Sequence, residues 1–200
     1  MLFRSSQGNF AGAASGTFTG CVGGNDSFGA VCTASGTFTS CVGGDYGFGS
    51  MGTASGVFRS CTGGMGSFGG YGAASGQFAD CVGGWNSFGA HYIASGTFTR
   101  CAGGGGSFGS WGTASGTFID CTDGDYSFAA WGTLATTAKL RHCKATSTNS
   151  FGSFQVASED FNYNVGGSNT FLMLPNLRTS TNGLPSGSVY NSSGTLKIVP

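Results

Sequence analysis

The stretch "ASGTFTGCVGGNDSFGAVCT", residues 14–33, decides the fold, because the chain spells nearly the same twenty residues six times. Related units begin at Ala34, Ala54, Ala74, Ala94 and Ala114. The positions that are identical in all six units include, in the first unit, Ser15, Gly16, Phe18, Cys21, Gly24 and Phe28. A fixed period of this length is the signature of a repeat architecture.

The composition of the unit excludes helices and favours short strands. Each unit contains several Gly residues, and each Gly would destabilise a helix by ~1 kcal/mol relative to Ala. The segments "GTFTxC" and "SFG" are typical of brief strands separated by tight turns in which Gly supplies a positive φ. One unit cannot bury two Phe alone, so the units must stack in parallel, ~4.8 Å apart. We therefore predict an all-β fold: a parallel β-solenoid of about six 20-residue rungs, followed by a small C-terminal β-hairpin region.

In-register stacking predicts three continuous columns of side chains. The first Phe column is Phe18, Phe38, Phe58, Phe78, Phe98 and Phe118, and the second is Phe28, Phe48, Phe68, Phe88, Phe108 and Phe128. The Cys column is Cys21, Cys41, Cys61, Cys81, Cys101 and Cys121. Rings at the rung spacing stack favourably, so we expect a core of Phe, Cys and Ala.

The Cys column admits two chemical states. Rung spacing lies within the Cα–Cα window for disulfides, whereas free Cys also serves as a small buried hydrophobe. The N-terminus "MLFRSSQGNF" does not resemble a secretory signal, which favours folding in a reducing cytoplasm and reduced thiols. The Cys residues do not form CxxC pairs with His at ligand spacing, so no zinc site is expected. We expect no cofactor and no metal.

The overall composition excludes several classes of protein. The chain has 40 Gly among 200 residues and only 8% charged residues, against about 25% charged in average proteins. Gly does not recur at every third residue, which excludes collagen, and 18 Phe are too many for a disordered coil. The formal net charge is zero, so we expect no nucleic-acid partner. No apolar run is long enough to span a bilayer, so no membrane insertion is expected.

A variable column predicts the candidate functional surface. Three residues past each second Phe stand Val31, Met51, Tyr71, His91, Trp111 and Trp131, and Tyr46, Trp85 and Tyr126 fall on the neighbouring turn. Aromatic faces exposed in a row suit stacking on sugars or packing against another subunit. The predicted glycan or partner surface is therefore Tyr71, Trp85, Trp111 and Trp131. A ladder that merely covers the turn is the structural alternative.

Other polar patterns favour structure over chemistry. A stacked solenoid would place Arg100 between Asp80 and Asp120, a charge ladder in which neither carboxylate has the raised pKa of a general acid. Asp123 and Asp125 lie in a segment that only faintly resembles a calcium loop. Thr-x-Thr strands suggest ice binding, but Arg59 interrupts that face, as do Gln77 and Ile119. His91 and His142 are isolated, and no residue is expected to be catalytic.

The repeats stop abruptly, as a capped solenoid requires. We predict an N-terminal cap at 1–13, solenoid repeats at 14–133 and a degenerate capping rung at 134–150. In that rung we expect Leu134 to replace Ala and Ala138 to replace Phe, with Cys143 two residues late. A C-terminal β-rich region for oligomerisation or attachment follows at 151–200, with a hairpin around "NSSG".

The C-terminus "LPNLRTSTNGLPSGSVYNSSGTLKIVP", residues 174–200, resembles the ends of tailed-phage virion proteins such as tail fibres, head fibres and adhesins. The repeats "SGTFTxCxGGxxSFG" are similar to those of phage fibre-like proteins. The resemblance implies assembly on a virion with other virion proteins, often as a homotrimer, and contact with a host surface glycan. It also implies a virion location after synthesis in the host cytoplasm.

We therefore expect a non-catalytic phage structural fibre or adhesin. A self-assembling extracellular filament and a small β-helical polysaccharide depolymerase are the alternatives.

Overall fold

The structure is a computed structural model that describes residues 12–135, 137–145, 153–154, 189–192 and 195–198. These residues contain β-strands and turns and no helix. The strands wind into a parallel β-solenoid with a spacing of about twenty residues per coil. The predicted fold class is confirmed.

One face of the solenoid is a seven-stranded parallel sheet, here called the Phe sheet. Its strands are β1 (Thr17–Thr19), β3 (Thr37–Thr39), β5 (Val57–Arg59), β7 (Gln77–Ala79), β9 (Thr97–Thr99), β11 (Thr117–Ile119) and β14 (Lys139–Arg141). Each strand pairs with its equivalent in the next coil, so that Phe18 lies beside Phe38 and Phe58 beside Phe78. The central residue of each strand points inward and its two neighbours point outward, as the period of a strand requires.

A second seven-stranded sheet, the Ala sheet, closes another side. Its strands are β2 (Thr33–Ala34), β4 (Thr53–Ala54), β6 (Ala73–Ala74), β8 (Ile93–Ala94), β10 (Thr113–Ala114), β13 (Thr133–Leu134) and β16 (Ser153–Phe154). A line of single parallel bridges follows the Cys column from Val22 to Thr122. In the last coils this line becomes a strand pair, β12 (Thr122–Asp123) with β15 (Lys144–Ala145).

Two stacks of Phe rings fill the core. Within each column, neighbouring rings are parallel to within 5° with centroids 4.8–4.9 Å apart. Between columns the rings meet edge to face at 5.6–5.9 Å. Every ring therefore takes part in both favoured aromatic geometries. Small Ala and Cys side chains complete the buried cross-section.

The second Phe of each coil has an unusual backbone. The φ angles of Phe28, Phe48, Phe68, Phe88, Phe108 and Phe128 lie between 45° and 52°. This left-handed conformation is unfavourable for a residue with a Cβ by roughly 1–2 kcal/mol. Each of these side chains is at most 1% exposed, and full burial of a Phe contributes roughly 2–3 kcal/mol. Core packing therefore sets the positive φ of each Phe, beside the positive φ that Gly supplies at Gly29, Gly49, Gly69, Gly89 and Gly109.

The seventh coil corrects the predicted register. Leu134 pairs with Ala114, as expected. The partner of Phe118, however, is Leu140, and Ala138 does not take the Phe position. The coil accommodates its two additional residues before β14, so that Cys143 regains the Cys column and its Sγ donates to the Phe118 carbonyl. Leu140 occupies the core position because its larger side chain fills the space above the Phe118 ring.

The C-terminal hairpin is confirmed as β17 (Val189–Ser192) and β18 (Thr195–Ile198), which pair antiparallel. The N-terminal cap at 1–13 and most of 146–188 lie outside the described residues. The domain boundaries therefore stay predictions, although β16 adds Ser153 and Phe154 to the Ala sheet. The part of the chain that the structure describes holds no helix of the length and apolarity needed to cross a membrane.

Candidate functional site

The exposed aromatic residues gather along one edge of the solenoid. We call this edge the aromatic corner; it consists of Tyr46, Tyr71, Trp85, His91, Trp111, Tyr126 and Trp131. These residues occupy the irregular turn between the Cys column and the Ala sheet. Because the turn has the same path in every coil, equivalent side chains lie directly above one another, and a surface column forms from residues far apart in sequence.

Four of these residues form a continuous stack. Tyr71 and His91 have parallel rings with centroids 4.6 Å apart, His91 and Trp111 follow at 6.1 Å, and Trp111 and Trp131 at 5.6 Å. The outer rings of the stack are also flanked, Tyr71 by Tyr46 at 6.0 Å and Trp131 by Tyr126 at 5.6 Å. Tyr71, Trp111 and Trp131 are exposed, but the ring faces between neighbours of the stack cover one another.

Trp85 lies outside this stack. A Cβ built on Gly105, directly above it, would come within 2.9–3.1 Å of three carbons of the Trp85 ring. The ring thus rests on the backbone of Gly105, and 58% of Trp85 is nevertheless exposed. Among the described residues, no aromatic ring pairs with Trp85. Of the four predicted surface residues, three therefore share the stacked column and Trp85 stands apart.

Short polar side chains connect successive turns beside the corner. Asn25 Oδ1 accepts a hydrogen bond of 3.0 Å from the backbone N–H of Asp45, and Asp45 Oδ1 accepts one of 2.7 Å from Met65. These contacts occupy backbone donors that the short turns would otherwise leave to water. Asn25 and Asp45 therefore have a structural role within the first coils.

The predicted charge ladder is present but uneven: Asp80 and Asp120 both raise the pKa of Arg100, and Asp80 has the larger effect. Arg100 makes a bidentate pair with Asp80 alone, at 2.7 and 2.8 Å, while Asp120 lies 3.2 Å from Nδ1 of His142. The Arg100 guanidinium lowers the pKa of Asp80 below its ordinary value. A guanidinium engages one carboxylate through its planar fork, which explains why Arg100 does not bridge two. An exposed carboxylate with a lowered pKa is unsuited to general acid catalysis.

All eight Cys residues are free thiols. The thiols of the column donate to backbone carbonyls, as Cys81 does to Ala79 at 3.4 Å. Hydrogen bonding to the Cys101 thiol raises the pKa of Cys81, and burial adds to this, to about 12. A reactive Cys requires a lowered pKa. The column therefore has the properties of a structural core and not of a nucleophile.

Asp123 is a buried carboxyl group that the sequence did not single out as structural. It occupies the position of Gly23, Gly43, Gly63, Gly83 and Gly103 in the five preceding coils and is 5% exposed. Its Oδ1 accepts a hydrogen bond of 2.7 Å from Gly124, whereas Oδ2 has no partner among the described residues. Burial raises the pKa of Asp123 from 3.8 to about 8, and hydrogen bonding to Ser127 and Gly124 opposes the shift.

No group of three or more His, Cys, Asp or Glu side chains within the described ranges could hold a metal ion. Burial lowers the pKa of His91, whose ring is held between Tyr71 and Trp111.

Sequence reasoning missed Tyr92, which is 64% exposed beside the corner, where other coils have Gly or Cys. The signal in the sequence was a large aromatic residue at a position that is small in the other coils.

Comparison with known proteins finds no matching family model, no matching curated protein and no matching solved structure.

Proposed function

We propose that the protein is a non-catalytic structural fibre or adhesin of a phage particle, with the solenoid as its rigid shaft. The observation that carries this proposal is the double Phe stack, in which every coil repeats the same buried contacts. Identical packing of the Phe side chains in each coil favours a mechanical role for the solenoid. A rod built of identical coils is stiff along its axis and tolerates variation on its surface.

The C-terminal region supports assembly on a particle. Residues 174–200 carry the resemblance to tailed-phage virion proteins, and the antiparallel pair β17–β18 lies within them. By that resemblance, this region would associate with copies of itself, as a trimer, or with other virion proteins. The exposed part of the aromatic corner would then be the surface for a host surface glycan or a neighbouring subunit.

The direct test is whether the chain is part of a virion. An antibody against the purified protein should label particles from the host that carries the gene, and mass spectrometry of those particles should detect the chain. Solution mass should correspond to a discrete oligomer, with three chains as the expected number.

Other outcomes would contradict this function. Particles that lack the chain would exclude a virion component. Rods that lengthen with protein concentration in electron micrographs would indicate a self-assembling filament. Release of reducing ends from a capsular polysaccharide would indicate a depolymerase.

A further inference from the structure

We propose that a groove on the outer face of the Phe sheet, between Arg59 and Thr99, binds one carboxylated sugar, such as a uronic or sialic acid residue of a host surface glycan. The inference rests on the proposed adhesin function and adds to it the site and the class of sugar. It places the glycan on the Phe sheet instead of the aromatic corner.

The groove exists because Ala79 is small. The outward side chains of the Phe sheet form two rows that run from coil to coil. In one row Ala79 pairs with Arg59 on one side and Thr99 on the other, whereas the first two coils have Thr19 and Thr39 at this position. Arg59 and Thr99 are two rungs apart, ~10 Å, and only a methyl group lies between them.

The groove has the size and rigidity of a site for a small ligand. Six outward side chains of β5, β7 and β9 line it: Val57, Arg59, Gln77, Ala79, Thr97 and Thr99. Its volume is about 270 Å³, just below the ~300–1,000 Å³ of sites for drug-sized ligands, so it suits one sugar ring. Because the three strands pair in register over the buried rings of Phe58 and Phe78, the groove is preformed and needs little ordering when a ligand binds.

Arg59 gives the groove an uncompensated positive charge. Its side chain is exposed and makes no ion pair or hydrogen bond to any residue that the structure describes. The seven strands of the Phe sheet carry no Asp or Glu. Asp80, which follows Ala79 in the chain, is held by Arg100 through two hydrogen bonds of 2.7 and 2.8 Å, so this pair adds no net charge. The charge of Arg59 is therefore complementary to an anionic ligand.

The other side chains of the groove match the neutral parts of a sugar. Gln77, Thr97 and Thr99 make no side-chain hydrogen bond within the described part of the chain. The amide offers donors and an acceptor, and each hydroxyl offers both, as sugar hydroxyls require. The methyl groups of Val57 and Ala79 provide apolar surface for the C–H bonds of the ring. One cation among neutral polar groups therefore favours a sugar with a single acidic group.

The geometry of the charge favours a carboxylate over a polyphosphate. A planar guanidinium binds a carboxylate through two parallel hydrogen bonds, as Arg100 does with Asp80. The other cations on the strands of the Phe sheet, Lys139 and Arg141, lie in the seventh coil, four rungs from Arg59. A nucleic acid would therefore meet one cation where its backbone requires several.

Fluorescence anisotropy of the full-length protein with labelled oligomers of galacturonate, mannuronate and sialic acid tests the proposal. Labelled dextran is the neutral probe, and dextran sulfate is a densely charged probe without carboxylates. The wild-type protein should bind at least one carboxylated oligomer more tightly than it binds dextran or dextran sulfate. Arg59→Gln should weaken this binding at least about tenfold, since it removes the charge and the paired hydrogen bonds.

Two further variants separate the groove from its charge. Ala79→Thr keeps Arg59 but fills the gap with the residue that the first, second and fifth coils have at this position, and threonine suits a strand. This variant should bind more weakly than the wild type although its charge is unchanged. Arg141→Gln removes a cation of the same sheet four rungs away and should bind as the wild type does. All three variants should melt cooperatively, as the wild type does.

Several results would overturn the proposal: unchanged binding by Arg59→Gln or by Ala79→Thr, equal losses in Arg59→Gln and Arg141→Gln, or tighter binding to dextran sulfate than to every carboxylated oligomer. A chain that labels virions yet binds none of these oligomers would leave the fibre function standing and remove this site. Binding by a chain that is absent from virions would remove the fibre function and keep the groove.

Discussion

At the scale of the residue, the solenoid overrides local preference wherever the core demands it. Six Phe residues adopt a left-handed backbone, and a carboxyl group, Asp123, is buried at a position that is Gly in the five preceding coils. In both cases the repeated neighbours above and below hold the residue in place, since the coil must continue the path of the previous one. Unfavourable conformations and buried polar groups of this kind persist because the contacts of the surrounding structure hold them in place.

The raised pKa of Asp123 predicts a pH-dependent stability. Below about pH 4 the carboxyl is protonated in both the folded and the unfolded chain. Between there and about pH 8 only the folded chain keeps the proton, so the free energy of unfolding should fall by up to about 1.4 kcal/mol per pH unit. Above pH 8 the dependence on Asp123 should disappear. Thermal melts followed by circular dichroism from pH 4 to pH 9 measure this decline.

The control for this prediction is Asp123→Asn, which keeps the shape of the side chain and removes its titration. Its stability should change less between pH 5 and pH 8 than that of the wild type. Parallel pH profiles for the two proteins would show that Asp123 is ionised in the folded state, contrary to its burial.

At the scale of the element, the side chains of each column contact the equivalent side chains in the neighbouring coils. In the Cys column, the register of the strands sets the distance between neighbouring thiols and so decides whether disulfides can form. In-register parallel strands hold successive Cβ atoms about one rung, ~4.8 Å, apart, whereas a disulfide needs Cβ atoms roughly 3.5–4.5 Å apart. We therefore expect these thiols to stay free even under oxidising conditions.

Thiol titration tests this state. In the native protein, Cys32, which is half-buried, should react with a thiol reagent, while the seven buried Cys residues should react only after denaturation. Treatment of the native protein with the oxidant diamide should leave those seven thiols titratable once the protein is unfolded. Loss of thiols in pairs after this treatment would show that neighbouring rungs can move close enough to form a disulfide.

Sequence reasoning could predict the columns but not every register. Because identical residues recur at a fixed period, Phe18 and its equivalents can be buried together only if the coils stack in register. The residues of the core could therefore be predicted directly from the sequence. The seventh coil was different, because an insertion of two residues can lie on either side of Ala138, and the choice depends on whether Leu140 fills the core. The aromatic corner was found from its column, but the stacking of its rings and the position of Trp85 over Gly105 depend on side-chain directions that spacing does not give.

At the scale of the whole molecule, the solenoid is nearly one-dimensional. Each coil contacts the coils directly above and below it, so its stability is approximately a sum of coil and interface contributions. The length of the rod should therefore be adjustable in whole coils and in no smaller step. This property follows from the register, in which Phe38 pairs with Phe58 and Phe58 pairs with Phe78. Each coil therefore offers the same pairing partners to the coil below it and to the coil above it.

Deletion of residues 55–74 removes one full coil and joins Ala54 to Ser75, as Ala74 is joined to it in the wild type. We expect this variant to fold and to melt cooperatively, with the rod shorter by ~4.8 Å in small-angle scattering. Deletion of residues 55–64 removes half as many residues but takes away β5 and Cys61 while keeping Phe68, so the Phe sheet and the Cys column are both interrupted. The smaller deletion should therefore be the more damaging one, with loss of the cooperative transition. If both deletions were tolerated equally, the coils would not be held by in-register stacking, and the rigid shaft on which the proposed function depends would be lost with it.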